Sequence, residues 1–140
     1  MKNIIWLTLF IMLAHSRVAS AQCNTEELCN ACIPKLSGGF NFLKSYKVNG
    51  EGNIPKVEYS YVFTKGTQYM VTLCEQKANA NSIVITIYDS ERNKVASNKI
   101  KGDVLPAIAY PCNATGIYYL QYTFEDASAR CAGSTLGFKK

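Results

Sequence analysis

From about residue 40 onward, apolar and polar side chains alternate. Val57, Tyr59, Tyr61 and Phe63 share one parity and Glu58 and Ser60 the other. Tyr69, Val71 and Leu73 stand against Thr72, and Tyr118, Leu120, Tyr122 and Phe124 against Gln121 and Thr123. A period of two is the geometry of a strand, whose successive side chains leave opposite faces of a sheet. The apolar rows are therefore expected inside, and Glu58, Ser60, Thr72, Gln121 and Thr123 in water.

Turn residues punctuate this pattern every eight to twelve positions, which predicts strands at about 40–48, 56–63, 67–74, 82–88, 94–100, 104–110, 116–124 and 133–139. Asn49-Gly50 is expected to supply a positive φ. Lys65-Gly66 and Lys101-Gly102-Asp103 read as tight reversals, and Asp89 to Asn93 as a polar hairpin loop. Ile83, Ile85 and Ile87 alternate with Val84, as expected for a central strand covered on both faces. Pro106 cannot donate to a ladder, which places 104–110 toward an edge.

Ahead of the strands, Asn24 followed by Glu26 and Glu27 reads as a capped helix start, with room for one or two turns before Pro34. The predicted fold is all-β, an antiparallel β-sandwich or jelly roll of about eight strands with a short N-terminal helix. Residues 1–21 form a leader, 22–39 a cysteine-bearing segment and 40–140 the sandwich.

The leader reads as a cleavable signal peptide. Lys2 precedes an apolar run, Ile4 to Ala14, and Ala19-Ser20-Ala21 supplies small residues for cleavage before Gln22. As a helix that run would rise only about 16 Å, against a hydrocarbon core of roughly 30 Å, so no stable transmembrane anchor is expected. Cys23 lacks the preceding small residue of a lipidation site. The expected address is secreted, periplasmic or cell-surface.

Cleavage changes the chemistry available, because His15 and Trp6, the single histidine and tryptophan, leave with the leader. Catalysis by Ser-His-Asp or Cys-His machinery and imidazole metal ligation are then excluded. All nine tyrosines remain, and Tyr46 and Tyr119 are candidate surface contacts. Loss of Lys2 and Arg17 takes the formal charge from +5 to +3. The lysines are scattered without the basic stripe that nucleic-acid binding needs.

Cys23, Cys29, Cys32, Cys74, Cys112 and Cys131 all survive cleavage, and an even count in an exported chain points to disulfides. If 116–124 and 133–139 form a hairpin, Cys112 and Cys131 lie about 25 Å apart, too far to bond. The expected pairs are Cys74 with Cys112, and Cys131 with one of the N-terminal group. Cys29-Asn30-Ala31-Cys32 has the spacing of a redox pair, but it does not follow a strand in a βαβ unit. A zinc set of Cys23, Cys29, Cys32 and a fourth cysteine is a lesser alternative.

Asn113-Ala114-Thr115 matches the glycosylation acceptor pattern, which matters only in a eukaryotic host. The carboxylate groupings, Asp89 and Glu91 with Asn93 and Glu125 with Asp126, read as solvated loop tips rather than calcium sites. No catalytic residue, metal or cofactor is expected.

Three phrases, Phe63 to Leu73, Ile83 to Asn98 and Ala114 to Leu120, resemble the bacterial pre-peptidase C-terminal domain family and related jelly-roll modules of secreted proteins. The resemblance implies a non-catalytic sandwich serving binding, targeting or stabilisation. This chain departs from that pattern in lacking an attached enzyme domain and in carrying six cysteines. The function expected is a binding or structural module whose partner is an envelope or extracellular protein. The alternatives are a carbohydrate-binding module, with a glycan as partner, and a thiol-disulfide oxidoreductase using Cys29 and Cys32.

Overall fold

The computed structural model describes residues 22–77 and 80–140; the leader lies outside the described residues. Helix α1 spans Thr25–Cys32, and the Asn24 side chain caps it by accepting from the Glu27 amide. Pro34 sits in the 3-10 turn Ile33–Lys35 that ends it. Ten strands follow: β1 Asn41–Asn49, β2 Lys56–Phe63, β3 Gln68–Glu75, β4 Ile83–Tyr88, β5 Lys94–Ser97, β6 Lys99–Ile100, β7 Asp103–Val104, β8 Ala107–Pro111, β9 Gly116–Phe124 and β10 Cys131–Lys139.

They make an antiparallel sandwich, one sheet in the order β1-β10-β3-β8 and the other β2-β9-β4-β5, with β6 and β7 as a small separate hairpin. The predicted class holds. Two expected strands are each divided, and the cause is Asn98, which is 0% exposed. Its Oδ1 accepts from the Ile85 amide at 2.7 Å, and its Nδ2 donates to the Ile83 and Leu105 carbonyls at 3.1 and 2.8 Å. A side chain turned inward to hold three backbone groups interrupts 94–100 and pulls 104–107 in beside it. β9 and β10 are not a hairpin either: they lie in opposite sheets, so 125–130 is a crossover.

The inner rows read from the alternation fill the space between the sheets. Phe63 stacks between Tyr69 and Tyr118, centroids 3.8 and 4.8 Å away, and Ile83, Ile85, Ile87, Leu120 and Leu136 complete the centre. Three buried tyrosines satisfy their hydroxyls with polar partners, while the buried Tyr46 hydroxyl has none among the described residues. Tyr122 bonds Ser134, Tyr118 donates to the Ala114 carbonyl, and Tyr69 accepts from the Thr64 amide. As expected, β4 is an interior strand and β8 an edge.

Thr72, expected in water, is 2% exposed. The reason is α1, which lies across the outer face of the β1-β10-β3-β8 sheet. The floor beneath it is made of small side chains, among them Gly133, Thr135 and Thr72. Strand alternation predicts which face a residue takes, but not what is later laid over that face. Gly50 likewise needs space rather than a positive φ: a Cβ there would meet the Phe124 ring at 2.4 Å, and the positive φ values fall on Gly52 and Asn53.

Two disulfides fasten α1 to the sheet, Cys23 to Cys131 and Cys32 to Cys74, across sequence separations of 108 and 42. Each is worth roughly 2–4 kcal/mol through restriction of the unfolded chain. Cys131 thus bonds within the N-terminal group, but Cys74 does not bond Cys112. In the antiparallel β3 and β8, Gln68 faces Pro111 and the Cys112 amide donates to the Thr67 carbonyl. That sets Cys112 at the opposite end of β3 from Cys74, about 20 Å along the strand. Cys29 and Cys112 are free and buried.

Candidate functional site

The outer faces of the two sheets differ. One is covered by α1. The other carries Lys56, Glu58, Ser60 and Val62 on β2, and Ile117, Tyr119, Gln121 and Thr123 on β9, in direct cross-strand pairs. Its chemistry is divided. At the centre Arg92 bonds Glu58 at 2.9 Å while its guanidinium lies 3.6 Å from the Tyr119 ring centroid, and Gln121 donates to Glu58 as well. Burial pushes the Glu58 carboxyl up, but the bonds from Arg92 and Gln121 outweigh it and hold the carboxyl below its ordinary range. Toward the end of β2, Val62 (57% exposed) stands directly opposite Ile117 (47% exposed). Both hold the parity that the alternation reserves for polar residues, a signal present in the sequence.

Beside this pair the sandwich is open. β1 lies next to β2, each the edge of its own sheet, and a cavity of about 240 Å³ at the seam is lined by Leu43, Tyr61, Val62, Thr67, Tyr69 and Phe138. Lys140 stands at its rim. Lys44 and Lys47 on β1, Lys56 on β2 and Lys65 just beyond β2 are all exposed. The seam joins an apolar floor to a basic border.

Other candidate residues fall elsewhere. Tyr46, expected at the surface, is 2% exposed, because its row faces inward from β1, where its ring packs tilted against Tyr59 with centroids 4.7 Å apart. Tyr119 is on the open face but half-buried under Arg92. All nine tyrosines are buried or half-buried; seven build or pack against the core, and Tyr88 and Tyr119 are paired across β4 and β9 outside it. Cys32 is bonded to Cys74, so Cys29 and Cys32 are not a redox couple. Burial pushes the Cys29 thiol up, and it donates to the Tyr46 carbonyl at 3.2 Å. With Cys23 and Cys32 both in disulfides, the zinc set does not assemble.

The carboxylate groupings serve their own loops. Asp89 accepts from the Glu91 and Asn93 amides, Asp126 accepts from Ser128, and Glu125 pairs with Lys99. A larger groove of about 360 Å³ lies between α1, the end of β3 and residues 104–106. Its acid, Glu75, uses Oε1 to accept from the Ser82 and Ile83 amides, which is a structural task. Asn113 is exposed, and the Thr115 hydroxyl of the same triplet accepts from the Lys65 amide.

Burial also sets an alkaline limit. It pushes Tyr46 up to about 12, with Tyr61 and Tyr59 nearby adding to the effect, and it raises Tyr59, Tyr118 and Tyr122 as well. Unfolded tyrosine ionises near 10. Above that pH the unfolded chain loses protons that the folded chain keeps, so stability is full below about pH 10 and falls as pH rises toward 12. We expect buried phenolate absorbance to appear together with loss of near-ultraviolet circular dichroism in that window. Smooth ionisation of every tyrosine with the fold intact would contradict the assignment.

Comparison with solved structures finds matches at low sequence identity. The chain is similar to the pre-peptidase C-terminal domain of a collagenase from Bacillus anthracis, at 16% identity and a TM-score of 0.49, covering 70% of this chain and 90% of that one. It is similar to a periplasmic inhibitor of g-type lysozyme from Aeromonas hydrophila, at 13% identity and a TM-score of 0.44, covering 74% and 90%. A Glycosylation Associate Protein complex from Streptococcus agalactiae matches at 16% identity and a TM-score of 0.39, covering 72% and 39%. No protein-family model matches the sequence, and no curated protein matches it.

Proposed function

We propose that this chain is an exported, non-catalytic binding module that engages a protein of the bacterial envelope or the extracellular space through the β1/β2 seam and the adjoining Val62/Ile117 pair. The observation that carries the reading is the inequality of the two sheet faces. Ile33 and Leu105 are exposed on the side closed by α1 and two disulfides, but on the uncovered sheet Val62 and Ile117 form a direct cross-strand apolar pair beside an apolar cavity, which supports an interaction site there. The disulfides support an oxidising compartment, in keeping with a leader cleaved before Gln22.

The test is export of the full chain from a bacterial host followed by crosslinking to envelope and medium proteins, comparing the native chain with a Val62→Lys, Ile117→Lys variant. A discrete partner retained by the native chain, and weakened at least about tenfold by the variant, is the expected result. Equal capture by both, or none by either, rejects the site.

A further inference from the structure

A sandwich exposes four strand edges, and an exposed edge is a row of unpaired amides and carbonyls on which another chain can add. Three of the four edges here carry a recognisable obstacle. β8 is bounded by Pro106 and contains Pro111. β5 is four residues long and its register with β4 is irregular. β1 is bulged between Phe42 and Lys44, Lys44 projects from its inward row over the Tyr46 ring, and its Lys47 carbonyl is taken by the Tyr59 hydroxyl. An inward-pointing lysine and a bulge are both known ways of making an edge unfit for pairing.

β2 is preceded by Pro55, as β8 is by Pro106, but within its own length it has no proline, bulge or inward charge. It runs for eight residues, pairs only with β9, and no other backbone hydrogen bond reaches it among the described residues. It also borders the cavity floored by Leu43, Tyr61 and Phe138, so a strand laid along it could place alternate side chains into apolar space. The charges near this edge are mainly positive. Lys56 opens β2, Lys65 follows it, Lys44 and Lys47 stand on neighbouring β1 and Lys140 at the cavity rim. Of the acids, Glu58 is engaged by Arg92 and Glu51 lies in the turn before β2.

We propose that β2 accepts an extended segment of a partner protein as a fifth strand of its sheet, and that this segment alternates apolar with acidic side chains. The inference rests on the seam as the binding site and specifies the mode of binding and the chemistry of the partner. Apolar residues would enter the cavity, and acidic residues would meet the lysine border and speed encounter through complementary charge.

The probe is a displayed library of random segments of β2's length, selected on the full, disulfide-bonded chain. The expected winners alternate apolar and acidic residues, and their binding weakens as salt is raised. Synthetic winners are then methylated on the backbone nitrogens of alternate residues, in either of two phases. Strand addition uses one edge of the peptide, so one phase should abolish binding and the other should leave it within about twofold. Tyr61→Lys, which gives β2 the inward charge that β1 already has, should weaken binding at least about tenfold while thermal unfolding verifies the fold. Lys65→Glu with Lys140→Glu should shift the selected sequences away from acidic residues.

Winners with helical periodicity or basic character, equal tolerance of both methylation phases, or no winner at all would overturn the proposal. So would sedimentation showing that β2 is occupied by a second copy of this chain. If the envelope partner is still captured through Val62 and Ile117, the failure lies in the strand mode alone. If that capture also fails, the binding site itself is wrong.

Discussion

Gly133→Ala should lower the stability of the chain by about 3 kcal/mol or more, a large fraction of what a domain of this size possesses. A Cβ at this position would lie 2.3 Å from the Cys29 amide nitrogen and 2.4 Å from the Leu28 carbonyl carbon, both backbone atoms of α1. No rotamer can relieve such a contact, so the helix must lift. It is held on either side by Cys23–Cys131 and Cys32–Cys74, and lifting it therefore strains two covalent tethers. Gly137→Ala provides the comparison, since there the nearest obstacle is the Leu36 side chain at 2.8 Å, and it should cost less, about 1–2 kcal/mol. Gly116→Ala, with nothing closer than 3.9 Å, should be nearly neutral. Urea unfolding of the three variants measures the order, and equal midpoints would show that α1 does not rest on Gly133.

Asn98→Leu is expected to have an effect of similar size. It removes the acceptor for the Ile85 amide and the donor for the Ile83 and Leu105 carbonyls, leaving the first two unsatisfied in the interior and the third at a part-buried position. At roughly 1–3 kcal/mol for each unsatisfied group, partly relieved by local shifts, the loss should be about 3 kcal/mol or more. The specific readout is hydrogen exchange: the Ile85 amide should lose protection out of proportion to the global change. A variant with native protection at Ile85 would mean that another group replaces Asn98. Asn98→Asp should not rescue it, because the carboxylate cannot donate to the two carbonyls and would place a charge where none is paired.

How far the molecule was legible follows from what each signal reports. The inner rows from Val57 to Phe63 and from Tyr118 to Phe124 could be read directly, because burial of one face is written into alternation. Pro106 marked an edge for an equally local reason, a missing donor. Thr72 and Tyr46 depart from expectation for opposite reasons. Thr72 kept its outward parity but lies under α1, while Tyr46 was valued for its chemistry without regard to the inward row it shares with Val48. Cys74 and Cys112 looked like neighbours because both stand at strand ends. Antiparallel pairing of β3 with β8 puts those ends at opposite poles.

The seam was partly visible. Val62 and Ile117 break the polar parity of their strands, and that departure could have been seen before any fold was known. Their meeting in one cross-strand pair could not, nor could the gathering of Lys44, Lys65 and Lys140 around one edge from positions far apart in the chain.

By itself the sequence determined the class of fold, the sides of the main strands and the helix start at Asn24, since each depends on neighbours along the chain or on a period of two. The tertiary structure alone decided which cysteines meet, which face α1 covers and which edge stays open. Those outcomes depend on how two sheets are ordered and which strand ends coincide, and contacts between residues 42 or 108 positions apart leave no periodic trace in the chain.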